Sequence, residues 1–227
     1  MNYKIIADEN KFLEFINWLP ELNVGETFYC ALLARNKYLA DRTQLKADKC
    51  GLKSFTATKE QIFDKVRQLE VMLGAYKYKG TVVPQEALAM YIMPNPRSLE
   101  KATRELILKL QKLSWAPYNG YNPHKLALSE IQKACGRTLY FDFDFDYLEP
   151  EKFVEYMVDH INLEALHVLK TRGGFHALVD VAKVKSSFTK SWYKSITSMP
   201  NFKPDTRGDE LLPTPGCVQG DFIPYFI

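Results

Sequence analysis

Three aspartates alternate with phenylalanines in Tyr140-Phe141-Asp142-Phe143-Asp144-Phe145-Asp146. On a strand, alternation turns Asp142, Asp144 and Asp146 to one face and sends Leu139, Phe141, Phe143 and Phe145 into a core on the other. Successive same-face residues stand about 6.6 Å apart, so neighbouring carboxylates can converge on a cation between them. Crowded carboxylates repel one another, and a divalent cation is the usual remedy. Oxygen ligands with no cysteine or histidine pair nearby favour Mg²⁺ or Mn²⁺ over zinc. The ordinary alternative is an exposed polar strand face, although strands normally avoid stacked Asp. A helix–loop–helix calcium site fits worse, because its sixth-position glycine and twelfth-position glutamate fall on Tyr147 and Phe153.

A second constellation is Lys170-Thr171-Arg172-Gly173-Gly174-Phe175-His176. Paired glycines let backbone approach a ligand with no Cβ in the way, and N–H groups exposed there can cradle phosphate. Lys170 and Arg172 add positive charge. Alternation assigns Phe175, Ala177 and Val179 to a core and His176, Leu178 and Asp180 to the opposite face. A hydrogen-bonded structural role is the ordinary alternative for such a histidine. The third constellation, Pro204-Asp205-Thr206-Arg207-Gly208-Asp209-Glu210, runs into Leu211-Leu212-Pro213-Thr214-Pro215-Gly216. Taken alone it is a polar loop leading to a proline-rich strand.

The elements that carry these groups follow from periodicity. Helical spacing covers 10–22, follows a capping box at Thr58-Lys59-Glu60-Gln61, and resumes after a Ser98 cap. Further helices are expected near 124–134, 150–161 and 188–197. Strands are expected at 27–35, 87–93, 138–146, 165–170 and 175–181, with a turn-rich connection at 74–84 and an extended final stretch. Irregular alternation of this kind predicts an α+β fold with a mixed or antiparallel sheet, rather than a doubly wound one.

The composition sets bounds. With 46% hydrophobic and 25% charged residues in 227, a sizeable core is available and wholesale disorder is excluded. No apolar run approaches the roughly 18 residues that cross a bilayer. The first residues, Met1-Asn2-Tyr3-Lys4, lack a signal peptide's pattern, so a cytoplasmic protein without a membrane partner is expected. Cys30, Cys50, Cys135 and Cys217 are too dispersed for a zinc pair or a disulfide framework. The net charge of +3 is modest, but acids cluster over 142–159 and bases over 183–207. That polarity suits a site holding cations and a polyanion together, or simply solvated faces. The basic run Lys183, Lys185, Lys190 and Lys194, with Trp192 and Tyr193 inside it, can track a nucleic-acid backbone and stack on bases, or its aromatics can be core. Arg35 and Lys37 are further candidates for nucleic-acid contact.

In this order, the three constellations resemble the motifs of the archaeo-eukaryotic primase superfamily, in its small primase-polymerase form. Tyr140-Phe141-Asp142-Phe143-Asp144 matches the hydrophobic strand ending in D-x-D. Thr171-Arg172-Gly173-Gly174-Phe175-His176 matches the glycine turn and histidine strand. Asp205-Thr206-Arg207-Gly208 with Pro213-Thr214-Pro215-Gly216 matches the third motif. Met90-Tyr91-Ile92-Met93-Pro94-Asn95-Pro96-Arg97 looks like the strand ending in N-P that precedes them. The resemblance spans roughly 87–225. Gly174 stands where many members have serine, Asp146 is an extra acid, and no cluster matches the zinc element several members carry, so no zinc is expected.

The resemblance implies a single catalytic domain, with an RRM-like core over 86–227 and an N-terminal α/β elaboration over 1–85. It implies template-directed nucleotidyl transfer from NTPs or dNTPs on a single-stranded DNA template with a primer. Asp142, Asp144 and Asp205 would hold two Mg²⁺ or Mn²⁺ ions. Lys170, Arg172, Gly173, Gly174 and His176 would bind the nucleotide's phosphates, with Arg207 a further phosphate or base contact. Any helicase would be a separate chain or a lost C-terminal part. Three alternatives compete: a D-x-D transferase acting on nucleotide-sugars, a metal nuclease, and a non-catalytic nucleic-acid-binding module.

Overall fold

Local signals set most element boundaries. Asp8 caps α1 (Glu9–Trp18) by accepting from the Lys11 N–H, and α1 buries Phe12, Phe15 and Ile16. β1 (Glu26–Arg35) and β2 (Lys49–Ala57) follow, then α2 (Lys59–Arg67), which opens on the Thr58/Gln61 capping box. A two-stranded hairpin of β3 (Lys77–Tyr78) and β4 (Thr81–Val82) occupies the turn-rich connection. Next come β5 (Leu88–Ile92), β6 (Arg97–Ser98), α3 (Leu99–Ser114) with its Ser98 cap, and α4 (Pro123–Lys133). The second half adds β7 (Tyr140–Phe145), α5 (Pro150–Met157), β8 (Leu166–Lys170), β9 (Phe175–Asp180) and α6 (Trp192–Thr197). It closes with β10 (Asp205–Gly208), β11 (Leu212–Pro213) and β12 (Tyr225–Phe226). These elements come from a computed structural model that describes residues 1–45, 47–146, 149–199 and 204–227, the side chain of Arg207 excepted.

The fold is α+β, with strands in two five-stranded sheets whose described pairings are all antiparallel. The first sheet has the order β11-β5-β1-β2, with β6 also pairing β1. It therefore joins strands from both sides of position 85. The second sheet has the order β10-β7-β9-β8-β12. No described helix is long and apolar enough to cross a membrane.

Two cores result from the period-2 patterns. One face of the second sheet buries Phe143, Phe145, Phe175, Ala177 and Val179 with Phe153 and Met157 of α5 and Ile196 of α6. Its other face sends Leu169 and Leu178 into the larger core, with Phe12 and Phe15 of α1 and Cys30, Leu32 and Met90 of the first sheet. Burying a leucine or phenylalanine contributes about 1.5–3 kcal/mol, so these faces are what hold β7 and β9 in register.

The segment at 214–218 stitches α1 to the sheets. The Ala7 and Asp8 N–H groups both donate to the Gly216 carbonyl at 2.9 Å, and Val218 N–H donates to Ile5 O at 2.9 Å. Gly216 has φ +76°, and a Cβ there would sit 2.4 Å from the Phe12 nitrogen, so no other residue fits without displacing α1.

Candidate active site

Register assembles the site. Asp205 on β10 lies opposite Asp144 on β7, and Asp144 lies opposite His176 on β9. His176 in turn faces Leu169 on β8, which faces Phe226 on β12. Directly paired residues share a sheet face. One row therefore runs across all five strands, chemical at one end and apolar at the other. Asp142 stands one same-face step from Asp144, opposite Gly208 and Leu178.

The strand between Asp205 and Gly208 is irregular against β7. Gly208 takes φ +79°, and a Cβ there would meet the Phe141 ring at 2.7 Å. A glycine is thus required for β10 to bring Asp205 beside Asp144.

A cavity of about 920 Å³ opens over this row. Asp144, Asp146, His176 and Asp205 line it from the second sheet and its edge, and Gly173 and Gly174 contribute the turn before β9. The facing wall comes from the first sheet: Arg35, Lys49 and Tyr91, with Lys37 and Tyr38 just beyond β1. Asp142 is 5% exposed and lies beneath the cavity.

His176 is the electrostatic centre. Its Nδ1 lies 2.9 and 3.1 Å from the two Asp142 oxygens, and its Nε2 lies 3.6 Å from Asp144 Oδ1. Burial by itself disfavours a charged imidazole, but Asp142 beside it, with weaker help from Asp144 and Glu210, lifts His176 to about 9. The ring is an imidazolium at neutral pH, donating from Nδ1 to Asp142. Asp144 is also raised, above a free carboxylate. Burial raises it, and the charges of Asp142 and Asp146 raise it further, against the opposing pull of His176 and Lys37.

Among the described residues no three Asp, Glu, His or Cys side chains stand close enough together to hold a metal ion. Asp142 is committed to His176, whose positive charge sits where the acids need one. The donor set still fits a hard cation. Asp144 and Asp205 are paired across two strands, Asp142 is one step away, and all three donate oxygen. Turning Asp142 from His176 toward Asp144 would complete such a set.

Of the other expected residues, Gly173, Arg35 and Lys37 line the cavity with Gly174, and the Thr171 N–H closes the turn on Gly174 O at 3.0 Å. A Cβ at Gly173 would meet nothing, so this glycine keeps backbone open toward the cavity rather than relieving a clash. Lys170 pairs with Phe175 and so shares the core-side face, away from His176. Arg172 binds Asp221 through Nε at 2.5 Å and lies over the Tyr38 ring at 4.9 Å. The Arg207 side chain lies outside the described residues. Lys183, Lys185, Lys190 and Lys194 are exposed and line no part of the cavity. Lys183 pairs with Asp180 and Lys185 with Glu164, while Trp192 packs on the α5–α6 core.

Several site residues are not among the expected ligands, although Asn95 and Arg97 lie in the strand ending in N-P that precedes the three constellations. Asn95 accepts from the Leu139 and Tyr140 N–H groups at 2.9 and 2.8 Å and donates to Tyr140 O at 2.8 Å, fixing the start of β7. Arg97, with no exposed surface, grips Asp209 through two nitrogens at 2.8 and 2.7 Å. This junction ties the Pro94-Asn95-Pro96 turn, β7 and the end of β10 together, so it positions the acid row. Tyr38, Lys49, Tyr91 and Gln219 also line the cavity.

No family model, curated protein or solved structure matches this chain.

Proposed function

We propose that the chain is a DNA primase or polymerase of the primase-polymerase type, joining nucleotides on a single-stranded template. The observation that carries this reading is the cross-strand row Asp205–Asp144–His176, with Asp142 one step away, under a cavity whose far wall is cationic. The strand order of the second sheet suits an RRM-like core, with its acids on the face turned toward the first sheet.

Asp142, Asp144 and Asp205 would hold Mg²⁺ or Mn²⁺, which when bound makes a 3′-hydroxyl more acidic and neutralises phosphate charge. The chain's own contribution is placement. The antiparallel register places the three carboxylates on one sheet face before any ligand arrives, and the remaining step is the turn of Asp142 from His176 toward Asp144. The second ring edge of His176 faces the cavity side where Asp144 lies. It would bind a phosphate oxygen there, with the Gly173-Gly174 backbone beside it. The Arg35, Lys37 and Lys49 wall would attract the polyanionic template.

A D-x-D transferase acting on nucleotide-sugars or a nuclease would also use the acids. Neither has an obvious use for an imidazolium and a glycine turn in the same row. The test is labelled-nucleotide incorporation on single-stranded DNA, with and without a primer, in Mg²⁺ and in Mn²⁺. Product that disappears in Asp142→Ala/Asp144→Ala supports the reading, and the unprimed reaction separates priming from extension. Folded protein that binds Mn²⁺ yet makes no product in any reaction refutes it.

A further inference from the structure

The cavity wall opposite the acids contains an array of hydrogen-bond donors that outnumber their acceptors. Arg35, its side chain 8% exposed, donates from one terminal nitrogen to the Tyr91 hydroxyl at 2.7 Å and from the other to Asp48 at 3.1 Å. Its Nε is buried and has no partner among the described residues. The Tyr91 and Tyr38 hydroxyls are 3.3 Å apart, and Gln219 Nε2 donates to the Tyr38 hydroxyl at 3.0 Å.

Counting protons gives the result. Each tyrosine oxygen already accepts one bond from outside the pair. The contact between them uses one hydroxyl proton, whichever residue supplies it. The second hydroxyl proton has no acceptor among the described residues. Burial pushes the Tyr91 phenol well up, so that proton is not lost to ionisation near neutral pH. The wall therefore holds two unanswered donors, the Arg35 Nε–H and one tyrosine O–H.

Positive charge gathers at the same place. Arg35, Lys37 and Arg172 stand 5.6, 5.6 and 4.9 Å from the Tyr38 ring centre. Arg35 lies directly opposite Lys49 in the β1–β2 pairing. Asp48 and Asp221 answer the two arginines, and no ion pair to Lys37 or Lys49 occurs among the described residues. Gln219 also accepts from the Arg172 N–H at 2.8 Å, which couples this wall to the glycine turn.

Surplus donors and surplus positive charge on this wall call for an anion with several oxygens. We propose that Arg35, Tyr38, Tyr91, Lys37 and Lys49 form a second phosphate-binding site, separate from the His176 and glycine-turn site. Its ligand is a phosphate of the polynucleotide, either a backbone phosphodiester or a 5′-terminal polyphosphate. The choice of a polynucleotide rests on the function proposed above, whereas the site itself is tested by binding alone.

The experiment measures anisotropy of a labelled 15-residue oligothymidylate with a 5′-hydroxyl and of the same strand with a 5′-triphosphate, without divalent metal. Lys37 and Lys49 are exposed, so Lys37→Gln/Lys49→Gln will keep the fold, and Arg35→Lys tests the fork geometry. The double variant is expected to weaken binding about tenfold and flatten the salt dependence by about 1.4 in log–log slope, as two lost phosphate contacts require. Equal losses on both strands identify the backbone phosphodiester, and a loss confined to the triphosphorylated strand identifies the terminal polyphosphate. Wild-type affinity and salt slope on both strands, in variants with wild-type circular dichroism, overturn the proposal. Binding losses in a protein that incorporates no nucleotide leave this site standing while the polymerase reading falls. Incorporation with unchanged binding does the reverse.

Discussion

Asp144 lies opposite the start of β10 and Asp209 follows its glycine kink, and their surroundings have opposite character. At the Asn95–Arg97–Asp209 junction every charge is answered. Arg97 donates to Asp209 twice, to the Asn95 carbonyl at 3.0 Å and to the Gln132 carbonyl at 3.1 Å. In the acid row, desolvation and then the charges of two other carboxylates raise the Asp144 pKa, while the His176 nitrogen lies 3.6 Å away. A saturated network fixes geometry, whereas an unsaturated one retains free energy for a ligand. The two regions should therefore fail differently when cut.

The largest effect is expected at the acid row. Asp144→Asn should reduce nucleotide incorporation by about 10³-fold or more, since losing a metal's hold costs several kcal/mol of transition-state stabilisation. Its urea midpoint should stay level or rise, because a carboxylate crowded by others has been removed. A matching drop in stability would show the row to be structural, and the contrast would collapse.

Asp209→Ala reverses the pattern. It leaves the Arg97 guanidinium buried without its counter-charge, which costs about 3–5 kcal/mol. Urea unfolding will read that directly, and a loss under about 1 kcal/mol would mean the junction relaxes freely. Between the regions, Gly208→Ala forces a side chain into left-handed backbone and against Phe141. A loss of about 1–3 kcal/mol is expected, with weaker incorporation as Asp205 shifts from Asp144. Unchanged stability would sink the claim that only glycine fits.

The smallest effect concerns Glu26, another answered charge. Its hydrogen bond with Arg137 holds its pKa below 4.5, despite opposing burial. A depressed folded-state pKa means stability that is present above about 4.5 and lost as pH falls through the lower folded value. Glu26→Gln should therefore show a shallower loss of stability between about pH 5 and 3 than the parent protein. An unaltered slope would show the pair to be silent.

The common facing of Asp142, Asp144 and His176 is legible in the sequence because a period of two leaves little choice. Three aspartates between phenylalanines can only face away from the core, and His176 follows from Phe175 by the same rule. Lys170 was misleading for that reason too: one residue of register separates a phosphate ligand from a core-side lysine. β2 left no comparable trace. Its burial is irregular, and the β1–β2 pairing shifts between Leu32 and Leu33, skipping Leu52, so no clean alternation points to Lys49. The Arg97–Asp209 pair and the Tyr38–Tyr91–Gln219 chain join residues far apart in sequence, which no local pattern encodes. The basic run at 183–194 looked like one surface, yet it leaves β9 at the end opposite His176 and packs toward α5 and α6.

The stitch between residues 5–8 and 216–218 has a kinetic consequence. Nearly the whole chain lies inside the loop that this pairing closes, and α1 cannot dock in its final place until Gly216 reaches it. Closure entropy grows only slowly with loop length, but it must be met before the contacts that repay it form. During synthesis the larger core should thus stay open until the C-terminal segment emerges, while the α5–α6 core can form earlier. The sheet that carries the acid row has one face in each core, so the row becomes rigid only at the last step.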